Sequence, residues 1–141
     1  RETIEATLAG EYPDSIYRVF VLLRDAKRQM DDENPEAALN TLNSALALVD
    51  DDKLADVIKL RIARLQQELD QSDAALATLG GVRSLGLRSQ VQEIKGDIHM
   101  SRGERALAHE AYSAALAEAG EDAQRPLLKL KVSDTADADE A

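Results

Sequence analysis

Residues 93–116 read EIKGDIHMSRGERALAHEAYSAAL, and their spacing decides the fold. Ala108, Tyr112 and Ala115 stand at steps of four and three, the interval at which side chains return to one face of an α-helix. The same ruler fits EAALNTLNSAL at 36–46, through Ala38, Leu42 and Ala45, and DAALATLGGV at 73–82, through Ala75, Leu79 and Val82. Twelve residues before each leading alanine stand Ala26, Ala63 and Gly96, small residues in the middle of the preceding helical stretch. Close helix contact there requires a short side chain. The leading alanines are 37 and then 33 residues apart, bracketing a period of about 34.

That set of intervals matches the positions of a tetratricopeptide repeat. The expected fold is all-α: a divergent tetratricopeptide-repeat-like α-solenoid of about three helical hairpins, formed by residues 1–132, with a C-terminal capping helix. It is divergent because the first-helix positions usually held by Trp and Tyr carry Leu22 and Gln29, Lys59 and Gln66, then Gln92 and His99. A plain helical bundle is the alternative, and it has no concave face. In a solenoid each repeat contacts chiefly its neighbours, so the ends need cover. A short first segment closed by Gly10, and the stretch Leu127, Leu128, Leu130 and Val132 opened by Pro126, are expected to supply it.

Punctuation sets the remaining boundaries. Pro13 opens a helix over Asp14–Met30, and Asn34 with Pro35 reads as an N-cap and first-turn proline for a helix through Val49. Asp50, Asp51 and Asp52 form a loop and cap before Lys53–Leu69, since the spaced oxygens and Gly of an EF-hand are missing. Ser72 is expected to cap a shorter helix that Gly80 and Gly81 weaken and Gly86 ends, followed by helices over Arg88–Ser101 and Ala106–Ala119. Beyond Ser133 no side chain is more apolar than Ala, so 133–141 reads as a disordered acidic tail.

Composition agrees with close-packed helices: 23 Ala and 20 Leu stand against one Phe, three Tyr and no Trp. A net charge of −10 repels phosphate backbones and argues against a nucleic-acid partner. With no Cys there is no disulfide, thiolate zinc site or thiol nucleophile. The sequence contains no apolar run of membrane-spanning length, and it begins at Arg1 without a signal-peptide pattern, so an anchor or signal is expected upstream. His99 and His109 lie on different helices outside any H-E-x-x-H pattern, and phosphate- and dinucleotide-binding motifs are absent. His99 reads as a stand-in for the repeat aromatic and His109 as a residue of a solvated face. No catalytic residue, metal or cofactor is expected.

From about Tyr17 to Val132 the chain resembles the YfgM family of ancillary subunits of the bacterial SecYEG translocon. The resemblance is most specific in LADVIKLRIARLQ (54–66), DAALATL (73–79) and IKGDIHMSRGE (94–104). It implies the periplasmic repeat domain of an anchored inner-membrane protein, acting with SecYEG and the chaperone PpiD on exported polypeptides.

The repeat register places the concave surface at positions two, five, nine and twelve of each first helix. These are Phe20, Leu23, Lys27 and Met30; Val57, Leu60, Arg64 and Gln67; and Gln90, Glu93, Asp97 and Met100. Leu60 lies off the core stripe of its helix, which a groove position explains. Two repeats give an apolar floor carrying Lys27 and Arg64, and the third turns polar and acidic. For Phe20, Leu23 and Val57 the competing assignment is ordinary core, and for Lys27 and Arg64 it is solvated charge. Leu23 and Leu60 do not fit a carboxylate clamp, so the expected ligand is an apolar segment, extended or helical, with some acidic character. A self-associating repeat domain, forming a homo-oligomer, and a cytosolic repeat adaptor are the alternatives.

Overall fold

The computed structural model describes residues 14–136. These form α1 (Asp14–Asp31), α2 (Pro35–Leu48), α3 (Asp52–Glu68), α4 (Ser72–Gly80), α5 (Arg88–Ser101), α6 (Arg105–Ala119) and α7 (Pro126–Ala136), with a 3-10 turn at Leu85–Leu87. The segment closed by Gly10, and Pro13, lie outside the described residues.

The hairpins α1–α2, α3–α4 and α5–α6 turn in the same way. At each turn one backbone N–H reaches back five residues: Asn34 to the Gln29 carbonyl at 2.8 Å, Gln71 to Gln66 at 2.7 Å and Glu104 to His99 at 2.9 Å. The residue before each donor has positive φ, at 60° for Glu33, 63° for Asp70 and 75° for Gly103. This closure satisfies carbonyls that the helix end leaves unpaired. A side-chain bond repeats as well. The Thr41 hydroxyl donates to Gln29 Oε1 at 2.7 Å, and Thr78 donates to Gln66 Oε1 at the same distance, 37 residues on. Gln at the position usually held by Tyr thus ties the first helix to the second in both repeats.

Asn34 caps α2 by accepting from Ala37, and Asp51 caps α3 by accepting from Lys53 and Leu54, as the acidic loop implied. Ser72 does not cap α4. Gln71 holds the cap position without a side-chain bond, and the helix ends at Gly80 rather than Gly86. Val82 therefore lies past the helix end, although it still packs on the core.

Helices pack against the other helix of their own hairpin and against the next hairpin, the arrangement of an α-solenoid. Ala26, Ala38, Ala45, Ala63, Ala75, Ala108 and Ala115 are all buried at these contacts. At Gly96 the approach leaves no room for a side chain, since a Cβ would sit 2.5 Å from the Tyr112 ring. In the first two repeats Ala26 shares a buried cluster with Leu42, and Ala63 with Leu79; the third repeat sets a smaller residue against a larger one. One cluster joins the first hairpin to Ile58, Ile62 and Leu65 of α3. The last joins Ala108, Tyr112 and Ala115 to Leu128 of α7.

α7 ends the stack and runs past the boundary expected at Val132. Thr135 is 2% exposed, so residues 133–136 belong to the folded body and not to a tail; 137–141 lie outside the described residues. Leu128 and Thr135 stand 37 residues beyond Val91 and Ile98, and all four are buried. α7 therefore fills the place of a first helix in a fourth hairpin.

Candidate functional site

The first helices α1, α3, α5 and α7 share one face, and what covers each position on it differs from repeat to repeat. At position two Phe20 is 46% exposed and Val57 38% exposed, while Gln90 is half-buried. At position nine Lys27 and Arg64 are exposed, and at position twelve Met30 and Gln67 are half-buried. Lys27, Met30 and Arg64 meet at one cavity of about 410 Å³, completed by Ala26, Leu42, Arg61 and Leu65. Arg61 lines the same cavity and was absent from the sequence assignment. It sits at position six of α3, which the packing of adjacent repeats brings beside position nine of α1. Lys27, Arg61 and Arg64 form no ion pair among the described residues.

Leu60 is a correction. It is only 8% exposed and packs in the cluster of Ala63, Ala75, Leu79, Val91, Ile94 and Ile98. The cause is the same offset between neighbouring helices. Position six of α5 is Ile94, which packs in that cluster with Leu60, whereas position six of α3 is Arg61 and leaves Leu23 half-buried. An off-stripe leucine became core because its neighbour in the next repeat is apolar.

Glu93 is the second correction, because Arg125 and Lys131, just before and within α7, cover it. Glu93 is buried and accepts from Arg125 and, at 3.0 Å, from Lys131. Lys131 also reaches Asp97 at 3.0 Å, and the Tyr112 hydroxyl donates to Asp97 at 2.5 Å. Arg125 further donates to Ser89, whose own hydroxyl bonds the Ala115 carbonyl at 2.8 Å. Burial alone would raise the Glu93 carboxyl, but the bonds and charges of Lys131 and Arg125 outweigh it and hold the group below the usual carboxylate range. Burial would lower Lys131, yet Glu93 and Asp97 hold it above the usual lysine range. Burial, followed by the bond to Asp97, pushes the Tyr112 hydroxyl up. Met100 is half-buried against the cluster around Leu128.

Val57 opens onto a different cavity of about 540 Å³ with Lys53, Ser84, Leu85, Gly86 and Leu87. Its loop wall is pinned by buried Asp56, which accepts from the Arg83 and Ser84 amides at 3.1 and 2.9 Å and from the Ser84 hydroxyl at 2.6 Å. Burial would raise Asp56, but these bonds and the nearby Lys59 charge leave it below the usual range. At the far end, Leu127 and Leu130 of α7 are 63% and 54% exposed at positions two and five. Sequence reasoning treated that stretch only as cover. The 37-residue offset from Val91 to Leu128 was the signal that could have placed it in the repeat register.

Neither histidine faces such a site. His99 Nδ1 lies 2.9 Å from Glu104, and half-buried His109 lies 3.1 Å from the Thr135 hydroxyl, so it is not on a freely solvated face. Among the described residues no group of His, Asp and Glu is placed to hold a metal ion, and no helix is long and apolar enough to cross a membrane.

Residues 2–137 match a family model described as a tetratricopeptide repeat-like domain. The chain is 30% identical over 117 residues to a Haemophilus influenzae protein named ancillary SecYEG translocon subunit, covering 83% of this chain and 57% of that protein. It is 31% identical over 117 residues to the Escherichia coli K12 protein of the same name, with the same two coverages. A third, from Aggregatibacter actinomycetemcomitans, is 34% identical over 104 residues, covering 74% of this chain and 51% of its own length. The chain thus spans about half the length of the curated relatives it matches. No solved structure matches it.

Proposed function

This chain belongs to the tetratricopeptide repeat-like domain family, and from that premise we propose that it is a non-catalytic scaffold that holds protein partners on the face of its first helices. The observation that supports this most directly is the cavity of about 410 Å³ where Lys27, Arg61 and Arg64 surround an apolar floor. Cations and apolar surface left uncovered between two repeats suit a peptide segment rather than a reacting group. The named relatives, together with the resemblance to YfgM proteins, point to the SecYEG translocon as the setting. On this reading the domain lies on the periplasmic side of the bacterial inner membrane and acts with the chaperone PpiD on exported polypeptides.

The binding surface is narrower than the full register. Phe20, Leu23, Lys27, Met30, Arg61, Arg64 and Gln67 carry it, with Val57 at its lip. Leu60 supports it from below, and Glu93 and Asp97 hold α7. Photo-crosslinking in cells from positions 20 and 64 tests the assignment. Capture of a SecYEG subunit or PpiD is expected. Crosslinks confined to a second copy of the chain would replace it with self-association.

A further inference from the structure

Two tracks of different chemistry cross α1 and α3. Position two carries exposed Phe20 and Val57; position nine carries Lys27 and Arg64, with Arg61 beside them. Seven helical residues separate the tracks, about 10 Å along each axis. Half-buried Leu23 lies between them. The chain has 27 acidic against 17 basic residues, yet these three cations have no carboxylate partner among the described residues. Arg125 and Lys131, just before and within α7, are by contrast both paired. The inner face of the first two repeats is thus a cationic band on an acidic protein.

We propose that this band receives an acidic amphipathic α-helix of a protein partner. Its apolar stripe would lie on Phe20, Leu23 and Val57, and its flanking carboxylates on Lys27, Arg61 and Arg64. Width decides for a helix: its diameter with side chains is about 10–12 Å, matching the track separation. Its apolar stripe also grades into a charged flank on one side. An extended strand sends alternate side chains to opposite faces, so its acidic residues would point away from the tracks its apolar residues touch. Charge decides for acidic over basic. The inference rests on the scaffold reading above and names the class of ligand.

Three synthetic peptides of about 18 residues, roughly 27 Å when helical, test it by fluorescence anisotropy against the 141-residue chain. One places Leu in a single stripe with Glu along one flank, the second replaces every Glu by Lys, and the third keeps Glu but carries two central prolines. The Glu helix is expected to bind at least about tenfold more tightly than either control, with affinity falling as salt rises. Lys27→Glu with Arg64→Glu should weaken the Glu helix about tenfold and strengthen the Lys helix, while circular dichroism stays unchanged. Equal binding of Glu and Lys helices, binding of the proline peptide as tight as that of the Glu helix, or no binding at all overturns the proposal. Translocon capture from position 64 without a preference for Glu would leave the scaffold reading standing and remove the acidic helix. A preference for Glu without that capture would keep the acidic helix as the ligand class and remove the translocon as its setting.

Discussion

Gly96 faces Tyr112 where the earlier repeats set alanine against leucine, so the third repeat has moved volume from one side of the helix contact to the other. A Cβ at Gly96 would lie 2.5 Å from two ring carbons. Tyr112 is held by its neighbours and by the bond to Asp97, so it cannot easily withdraw. Gly96→Ala should therefore destabilise the chain by about 1–3 kcal/mol in urea unfolding. Adding Tyr112→Leu recreates the pairing of the first two repeats, and the double-mutant cycle should show a favourable coupling of about 1 kcal/mol or more; additive losses would mean that the ring is free to move. The turn residues give a second test. Glu33 and Asp70 hold positive φ with full side chains where the third turn has Gly103. Glu33→Gly and Asp70→Gly should each raise stability by about 0.5 kcal/mol, and Gly103→Ala should lower it by about 1 kcal/mol, read as shifts of the urea midpoint.

α7 is fixed by one fully buried leucine and by a polar cluster, which makes its attachment dependent on pH. The Glu93 pKa is lowered in the folded chain, so its contribution is present above the ordinary glutamate value, about 4.3, and is lost as pH falls through the folded value. Asp56 has the same sign for the loop before α5. The Lys131 pKa is raised, so its contribution is complete below about 10.4 and is lost as pH rises through the folded value. Thermal stability should consequently be flat from about pH 5 to pH 10 and fall on both sides. Lys131→Met leaves the carboxylates of Glu93 and Asp97 short of a cation and should cost about 1–3 kcal/mol at neutral pH. It should also make the acid limb shallower, because Glu93 loses the main group that lowers its pKa. A Tm–pH curve of unchanged shape in the variant would show that α7 is held by Leu128 and the packing around it rather than by the polar cluster. The sequence suggested a covering helix here because Pro126 and three leucines are local signals. It did not show the cluster, because Glu93 and Asp97 are distant along the chain from Arg125 and Lys131 and meet them only once α7 takes the fourth first-helix place.

For the whole molecule, the hairpins were legible because small residues must recur wherever helices approach closely, and that recurrence survives even where the repeat aromatics have been replaced. The site was legible only in part, for a reason specific to stacked repeats: exposure on the shared face depends on residues a whole repeat away. Lys27, Met30 and Arg64 line one cavity, as residues placed by their own register. Arg61 was missed, and Leu60 misassigned, because each depends on how position six of one helix meets the helix before it. The contrast between Leu60 and Val57, three residues apart on α3, tests this dependence directly. Val57 is exposed beside a cavity, so Val57→Glu should alter the urea midpoint by no more than about 0.5 kcal/mol. Leu60 packs in the cluster that holds Ile94 of the next hairpin, and Leu60→Glu would place an unpaired carboxylate between the second and third repeats. A loss of about 3 kcal/mol or more is expected, and Ile94→Ala should reduce it by opening space beside the new carboxylate. If instead Leu60→Glu unfolds at the parental midpoint, the leucine faces solvent, the offset between first helices is wrong, and the cationic band assigned to Lys27, Arg61 and Arg64 loses its geometric basis.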